Sequence, residues 1–198
     1  MKQCGDATVT AEPDGETQSL TPLLRWWVLF AAVYGACLLV AARRHDAGML
    51  ALVGLGATVP PVGLLAAIDV VTRQLPRVIS YSTFVVVLPL LLLDPNSAGD
   101  GRWSAVFGAG LMLAITAAVR FAGRGSLGRG DLHFSPLLGA VAGWFGARLV
   151  ISVWLAAAIL GGFAAMLFLI FGRDRRTRFA YGPFLLLGLC VALVMVGR

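Results

Sequence analysis

The stretch LLAAIDVVTRQLP, residues 64–76, places Asp69 at the end of an apolar run that reaches back to Gly48. A second carboxylate stands in GRGSLGRGDLHFSPLLGA, residues 123–140, where Asp131 opens another apolar run. Burying an acidic group costs several kcal/mol unless it is protonated, paired or set beside water, so a carboxylate at a membrane boundary marks a functional site by default. Two of them form a candidate catalytic pair.

The surrounding chain supplies the membrane. Its 198 residues are 59% hydrophobic and 13% charged, with a mean hydropathy of +0.85. Soluble domains carry about a quarter charged residues. Seven apolar runs are bounded by charge or turn residues: Leu23–Ala42, Gly48–Ile68, Val78–Leu93, Trp103–Val119, Leu132–Ala147, Leu149–Phe171 and Tyr181–Val196. The pattern predicts an all-α, polytopic transmembrane helical bundle of about seven spans, filling residues 23–198. Some runs lie near the lower length limit for a spanning helix. Pro60 and Pro61 are expected to kink the second span, and Pro89 the third. Residues 1–22 are polar, lack the basic start and cleavage site of a secretory signal, and read as a disordered tail.

The net charge of +6 comes almost wholly from arginines in the breaks between apolar runs. There they act as topology signals, and no nucleic-acid partner is expected. An amino terminus in the cytoplasm leaves Arg43, Arg44, Arg102, Arg148 and Arg198 outside and the other cationic residues inside, as the positive-inside tendency requires. Asp69 ends the second span and Asp131 begins the fifth, so the even number of spans between them puts both on one face. With the arginine distribution, that face is cytoplasmic.

Asp131 suits the amino end of a helix, where the dipole favours negative charge, but Asp69 sits at the carboxyl end of its span, where the dipole opposes it. The loop before Asp131 holds Gly123, Gly125, Gly128 and Gly130. Glycine allows close backbone approach, so this loop can bring Asp131 against a neighbouring helix or an extended peptide. Its GxGxxG spacing follows a membrane helix and not a strand, which argues against a dinucleotide site. Asp131 and His133 lack further clustered ligands for a metal, and Ser126 and Ser135 lack a base at a nucleophile elbow. Arg129-Gly130-Asp131 spells an adhesion tripeptide that would be out of reach on the cytoplasmic face. Cys4, Cys37 and Cys190 are far apart and read as free thiols. Trp26, Trp27, Trp103, Trp144 and Tyr181 fall near span ends and read as interfacial anchors. Arg173, Arg175, Arg176 and Arg178 read as a contact for anionic membrane lipids.

Asp69 with Leu75-Pro76, then Gly128-Arg129-Gly130-Asp131, then Leu137-Leu138-Gly139-Ala140 and Trp144 resemble the type IV prepilin peptidase family of GxGD membrane aspartic proteases. The segment from Phe179 through Gly182-Pro183-Phe184 to Gly188 is similar to that family's closing helix motif, so the resemblance runs from about residue 50 to the carboxyl terminus. It implies catalysis by Asp69 and Asp131, with Pro76, Gly128, Gly130, His133, Gly182 and Pro183 as motif or substrate-site residues. No cofactor is implied. The implied partners are pilin-like precursor proteins, cleaved after a glycine that precedes an apolar helix. The chain departs from the pattern at His133, where the family commonly has Lys, and at Arg77, where it has Asn or Asp. Nothing here corresponds to the cytoplasmic insertion with paired CxxC motifs, so a short, peptidase-only form is implied.

The chemistry agrees with that resemblance: two adjacent carboxylates cannot both ionise cheaply, so one keeps a proton and the other can activate water. Arg77 and His133, if close, would favour ionised carboxylates beside them, whereas burial opposes this. A non-enzymatic assembly factor or a small proton-coupled transporter would be the alternatives. An inactive relative would usually have lost one aspartate, and a transporter should show internal repeats that are not evident here. The topology is testable: single cysteines near Arg77 and Arg124 should label from the cytoplasmic side and one near Gly99 from outside. Labelling of the first two from opposite faces would separate the carboxylates.

Overall fold

The structure, a computed structural model, describes residues 14–72, 75–94, 100–123, 128–171 and 181–195. These residues form seven α-helices: α1 (Asp14–Arg44), α2 (Met49–Thr72), α3 (Arg77–Leu93), α4 (Asp100–Ala122), α5 (Arg129–Phe145), α6 (Ala147–Ile170) and α7 (Gly182–Met195). Four of them, α1 from Thr21, α2, α4 from Trp103 and α6 to Leu167, are long and apolar enough to cross a membrane, and α3 and α7 are shorter apolar helices. Large apolar side chains lie exposed on the outside, among them Val85, Phe107, Ile159 and Phe163. So much contiguous apolar surface is compatible with lipid and not with water, and the chain is a multi-pass membrane protein.

Local chemistry sets the helix ends. α1 stops where Asp46 adopts a left-handed φ of 47° and the Ala47 N–H reaches back to the Ala42 carbonyl at 3.2 Å, a Schellman closure. The following helix is capped from a distance. Asp94, at the end of α3, is fully buried and accepts the Ala51 N–H through Oδ2 at 3.1 Å, satisfying a donor that has no partner within α2. Its carboxylate lies against Gly48, where any side chain would collide with it. The division between α5 and α6 falls at Gly146, with φ of 147°, and not at Arg148. Only glycine adopts that φ readily, while an arginine continues a helix without strain. α1 begins at Asp14, upstream of the expected start at Leu23; once the apolar run has nucleated a helix, each further residue adds a hydrogen bond without a new nucleus. Residues 1–13 of the expected tail lie outside the described residues, as do 172–180 with the arginine cluster and Phe179.

Lipid gives helices no hydrophobic reason to associate, so packing rests on close approach of small residues. Between α4 and α5, a Cβ added to Gly139 would stand 2.5 Å from the Gly108 carbonyl oxygen, and one added to Gly143 would stand 2.3 Å from that of Ser104. Between α6 and α7, a Cβ on Gly188 would stand 2.6 Å from the Val153 carbonyl oxygen. Gly63 of α2 meets Ala31 of α1 in the same way. Polar ties supplement these contacts. Thr58 Oγ1 donates to the Leu55 carbonyl at 2.6 Å and accepts from the buried Tyr34 hydroxyl at 2.9 Å, and the Trp27 indole N–H donates to the Pro60 carbonyl at 3.0 Å. Helix α2 runs through Pro60 and Pro61, and α3 through Pro89.

Helix α5 is the interior element. Phe134, Leu137, Leu138 and Val141 are fully buried, and nearly the whole helix from Asp131 onward is enclosed. This corrects the reading of Trp144 as an interfacial anchor: it is buried edge-on against Phe145, because the end of an enclosed helix faces protein. Trp103 and Trp26 are exposed, whereas Trp27 is tied to α2.

Candidate active site

Asp69 lies one turn before the end of α2 and is buried at 5% exposure; Asp131, the third residue of α5, is buried at 4%. The two share one neighbourhood: the charge that acts on Asp131 is that of Asp69. Neither carboxylate is left without a donor. Asp69 Oδ2 accepts the backbone N–H of Gly182, the first residue of α7, at 3.0 Å across 113 positions of sequence. Asp131 accepts the backbone N–H of Gly128, the residue that caps α5. That contact is one half of a capping box, in which the side chain three residues into a helix reaches back to the capping N–H.

Glycines make room for both carboxylates. A Cβ on Gly128 would lie 2.9 Å from Asp131 Oδ2, and one on Gly182 would lie 2.7 Å from Asp69 Oδ2. Leu75 joins the two sides. Its side chain is packed so closely over Gly130 that a Cβ there would fall 2.6 Å from Leu75 Cβ, and its Cδ1 lies 3.5 Å from the Cβ position of Gly182. Pro76 caps α3 with extended backbone, φ of −69° and ψ of 115°, and so turns the chain from Leu75 into that helix. Pro183 is buried directly behind Gly182. Thus Asp69, Pro76, Gly128, Gly130, Asp131, Gly182 and Pro183 converge at one end of the bundle, although residues 124–127 of the glycine loop lie outside the described residues.

His133 is tied to α3. Its Nδ1 hydrogen-bonds Tyr81 Oη of α3, with ring centroids 5.3 Å apart, and the charge acting on it is that of Arg77. Both departures from the family pattern are therefore neighbours on the α3–α5 seam. Tyr181, read from sequence as an anchor, instead packs its ring into a notch at Gly161 of α6, where an added Cβ would stand 2.9 Å from its Cε2. It is close enough to Asp131 to feel its charge. Sequence reasoning gave no role to Tyr81, read Tyr181 only as an anchor, and assigned Leu75 and Gly182 only to motifs. The following Pro183 was the available signal for the last, since proline is preferred in the first turn of a helix. Among the described residues, no three His, Cys, Asp or Glu side chains group as a metal site.

The fold and the site together define a multi-pass helical membrane protein with two carboxylates buried in one centre. Residues 57–166, more than half of the chain, match the type IV leader peptidase family, and the chain belongs to that family. The matched segment contains Asp69, Leu75-Pro76 and Gly128 to His133, and ends before Gly182 and Pro183. No curated protein and no solved structure matches the chain.

Because the imidazole bonds to Tyr81, the His133→Gln variant should give a peptidase pH–rate profile that superimposes on the wild type across its acidic limb. Its cost should appear in thermal unfolding, about 1 kcal/mol for one interhelical hydrogen bond. A displaced acidic limb would place the imidazole at the carboxylates.

Proposed function

We propose that this type IV leader peptidase is an aspartic endopeptidase that cuts the leader from pilin-like precursors at the cytoplasmic face of the membrane. Asp69 and Asp131 are its acid/base pair. The burial of both carboxylates in one site, each held by a glycine N–H, is the observation that carries this reading. Mutual repulsion makes double ionisation unfavourable, so the pair holds one proton between them. The ionised member takes a proton from a water molecule as that water attacks the scissile carbonyl. The protonated member donates to the carbonyl oxygen as negative charge develops there. On collapse of the tetrahedral intermediate, the C–N bond breaks, the proton taken from water passes to the departing amine, and the hydroxyl of the intermediate returns its proton to the member that gave it as the new carbonyl forms, so the pair returns to its starting state. Burial serves the chemistry, because hydrogen bonds to developing charge are stronger where water is excluded.

The arginine distribution supports a cytoplasmic site, where a substrate whose apolar helix stays in the bilayer can extend its leader to the carboxylates.

The experiment is cleavage of a co-reconstituted pilin-like precursor. Asp69→Asn and Asp131→Asn should each lower kcat by about a thousandfold or more while the protein stays inserted and folded. Processing near the wild-type rate by either purified variant would overturn the two-carboxylate mechanism.

A further inference from the structure

The amino-terminal turn of α7 can be accounted for donor by donor. The N–H groups of Phe184 and Leu185 both go to the Tyr181 carbonyl, at 3.0 and 3.1 Å. Pro183 has no N–H. The one remaining donor of that turn, on Gly182, points out of the helix and is taken by Asp69 Oδ2 at 3.0 Å in a buried contact. First-turn N–H groups have no partner within their own helix, so this bond costs α7 nothing. The carboxylate it holds belongs to α2, where Asp69 would otherwise face the unfavourable end of its own helix dipole.

The start of α7 is itself fixed from two sides. The Tyr181 ring is seated in the Gly161 notch of α6, and Leu75 packs beneath Gly182 while also covering Gly130 beside Asp131. The space at Gly182 is filled by the carboxylate, with Asp69 Oδ2 2.7 Å and Cγ 3.3 Å from where a Cβ would be. A side chain there would push the carboxylate away from the N–H that holds it.

We infer that Gly182 is a positioning residue of the peptidase: its backbone N–H, delivered by α7, orients the Asp69 carboxylate toward Asp131, and its missing side chain leaves that carboxylate room. The catalytic centre therefore includes a helix start that lies beyond the segment matched by the family. The inference rests on Asp69 being half of the acid/base pair.

Two substitutions separate the parts. Gly182→Ala keeps the N–H and adds the crowding carbon; Gly182→Pro adds that carbon and also deletes the N–H, at a first-turn position where proline suits a helix. Both should lower kcat on the reconstituted precursor, Gly182→Pro by about a hundredfold or more as expected for a displaced catalytic group, and Gly182→Ala by less. KM should be unchanged in both, since the substrate does not touch the buried contact. A parallel cycle reads the contact without activity: Gly182→Ala should lower the thermal unfolding midpoint of the wild type, and should lower it less in an Asp69→Ala background, where the crowded carboxylate is gone. Wild-type kcat in Gly182→Pro, a rise in KM at constant kcat, or equal destabilisation in the two backgrounds would each overturn the inference. If Asp69→Asn abolishes cleavage while Gly182→Pro does not, the inference fails and the acid/base pair stands. If Asp69→Asn cleaves normally, the pair itself falls.

Discussion

Two carboxylates buried in one neighbourhood repel, and the architecture of this peptidase is organised around holding them there despite that. The charge on Asp69 acts on Asp131, and each group is steadied by the N–H of a glycine at the start of a different helix, Gly182 for Asp69 and Gly128 for Asp131. Backbone donors suit this task. An N–H at a helix start carries partial positive charge without bringing a titratable cation into the membrane.

The bundle has to supply the precision that such a centre requires, and in lipid it does so through absent side chains. Gly108, Gly139 and Gly143 let α4 seat against the enclosed helix α5, fixing the helix that carries Asp131. Gly188 and Gly161 let α7 seat against α6, fixing the helix that delivers the Gly182 N–H. Leu75 is packed between the two helix starts, so the link after α2 sets the spacing between the sides of the site. Dispersion is the adhesive in these contacts, and it falls off steeply with separation. A methyl group at any of these glycines therefore acts on the geometry of the carboxylates from a distance.

The helical membrane class and the two carboxylates could be read from one dimension. Hydropathy marked the runs, and parity placed Asp69 and Asp131 at the same end of the bundle, which is where they lie. Boundaries read from charge were less reliable: the break between α5 and α6 falls at Gly146 because backbone conformation and not the charge of Arg148 decides it. Trp144 near the end of a run resembled an anchor, but enclosure of α5 is a tertiary fact that no single run reveals. The Asp94 carboxylate was passed over because its partner, the Ala51 N–H, lies on another helix. The Gly182 bond was hidden for the same reason. A backbone donor has no letter in the sequence, and its acceptor stands 113 positions away. His133 and Arg77 were noticed as departures beside the aspartates, whereas their meeting with Tyr81 on the α3–α5 seam, 52 positions from His133, was not visible in sequence.

The central claim is that Asp69 and Asp131 form one acid/base centre, and their proximity in the membrane is its most direct test. Cysteines placed at positions 69 and 131, in a chain whose three native cysteines are replaced by serine, can be treated in reconstituted vesicles with a short bifunctional thiol reagent. The account predicts an intramolecular link between the two positions, identified by mass spectrometry of the digested protein. Absence of that link, while a cysteine pair at positions 81 and 133 of the α3–α5 seam, whose native side chains are bonded, is linked in the same vesicles, would contradict a shared centre.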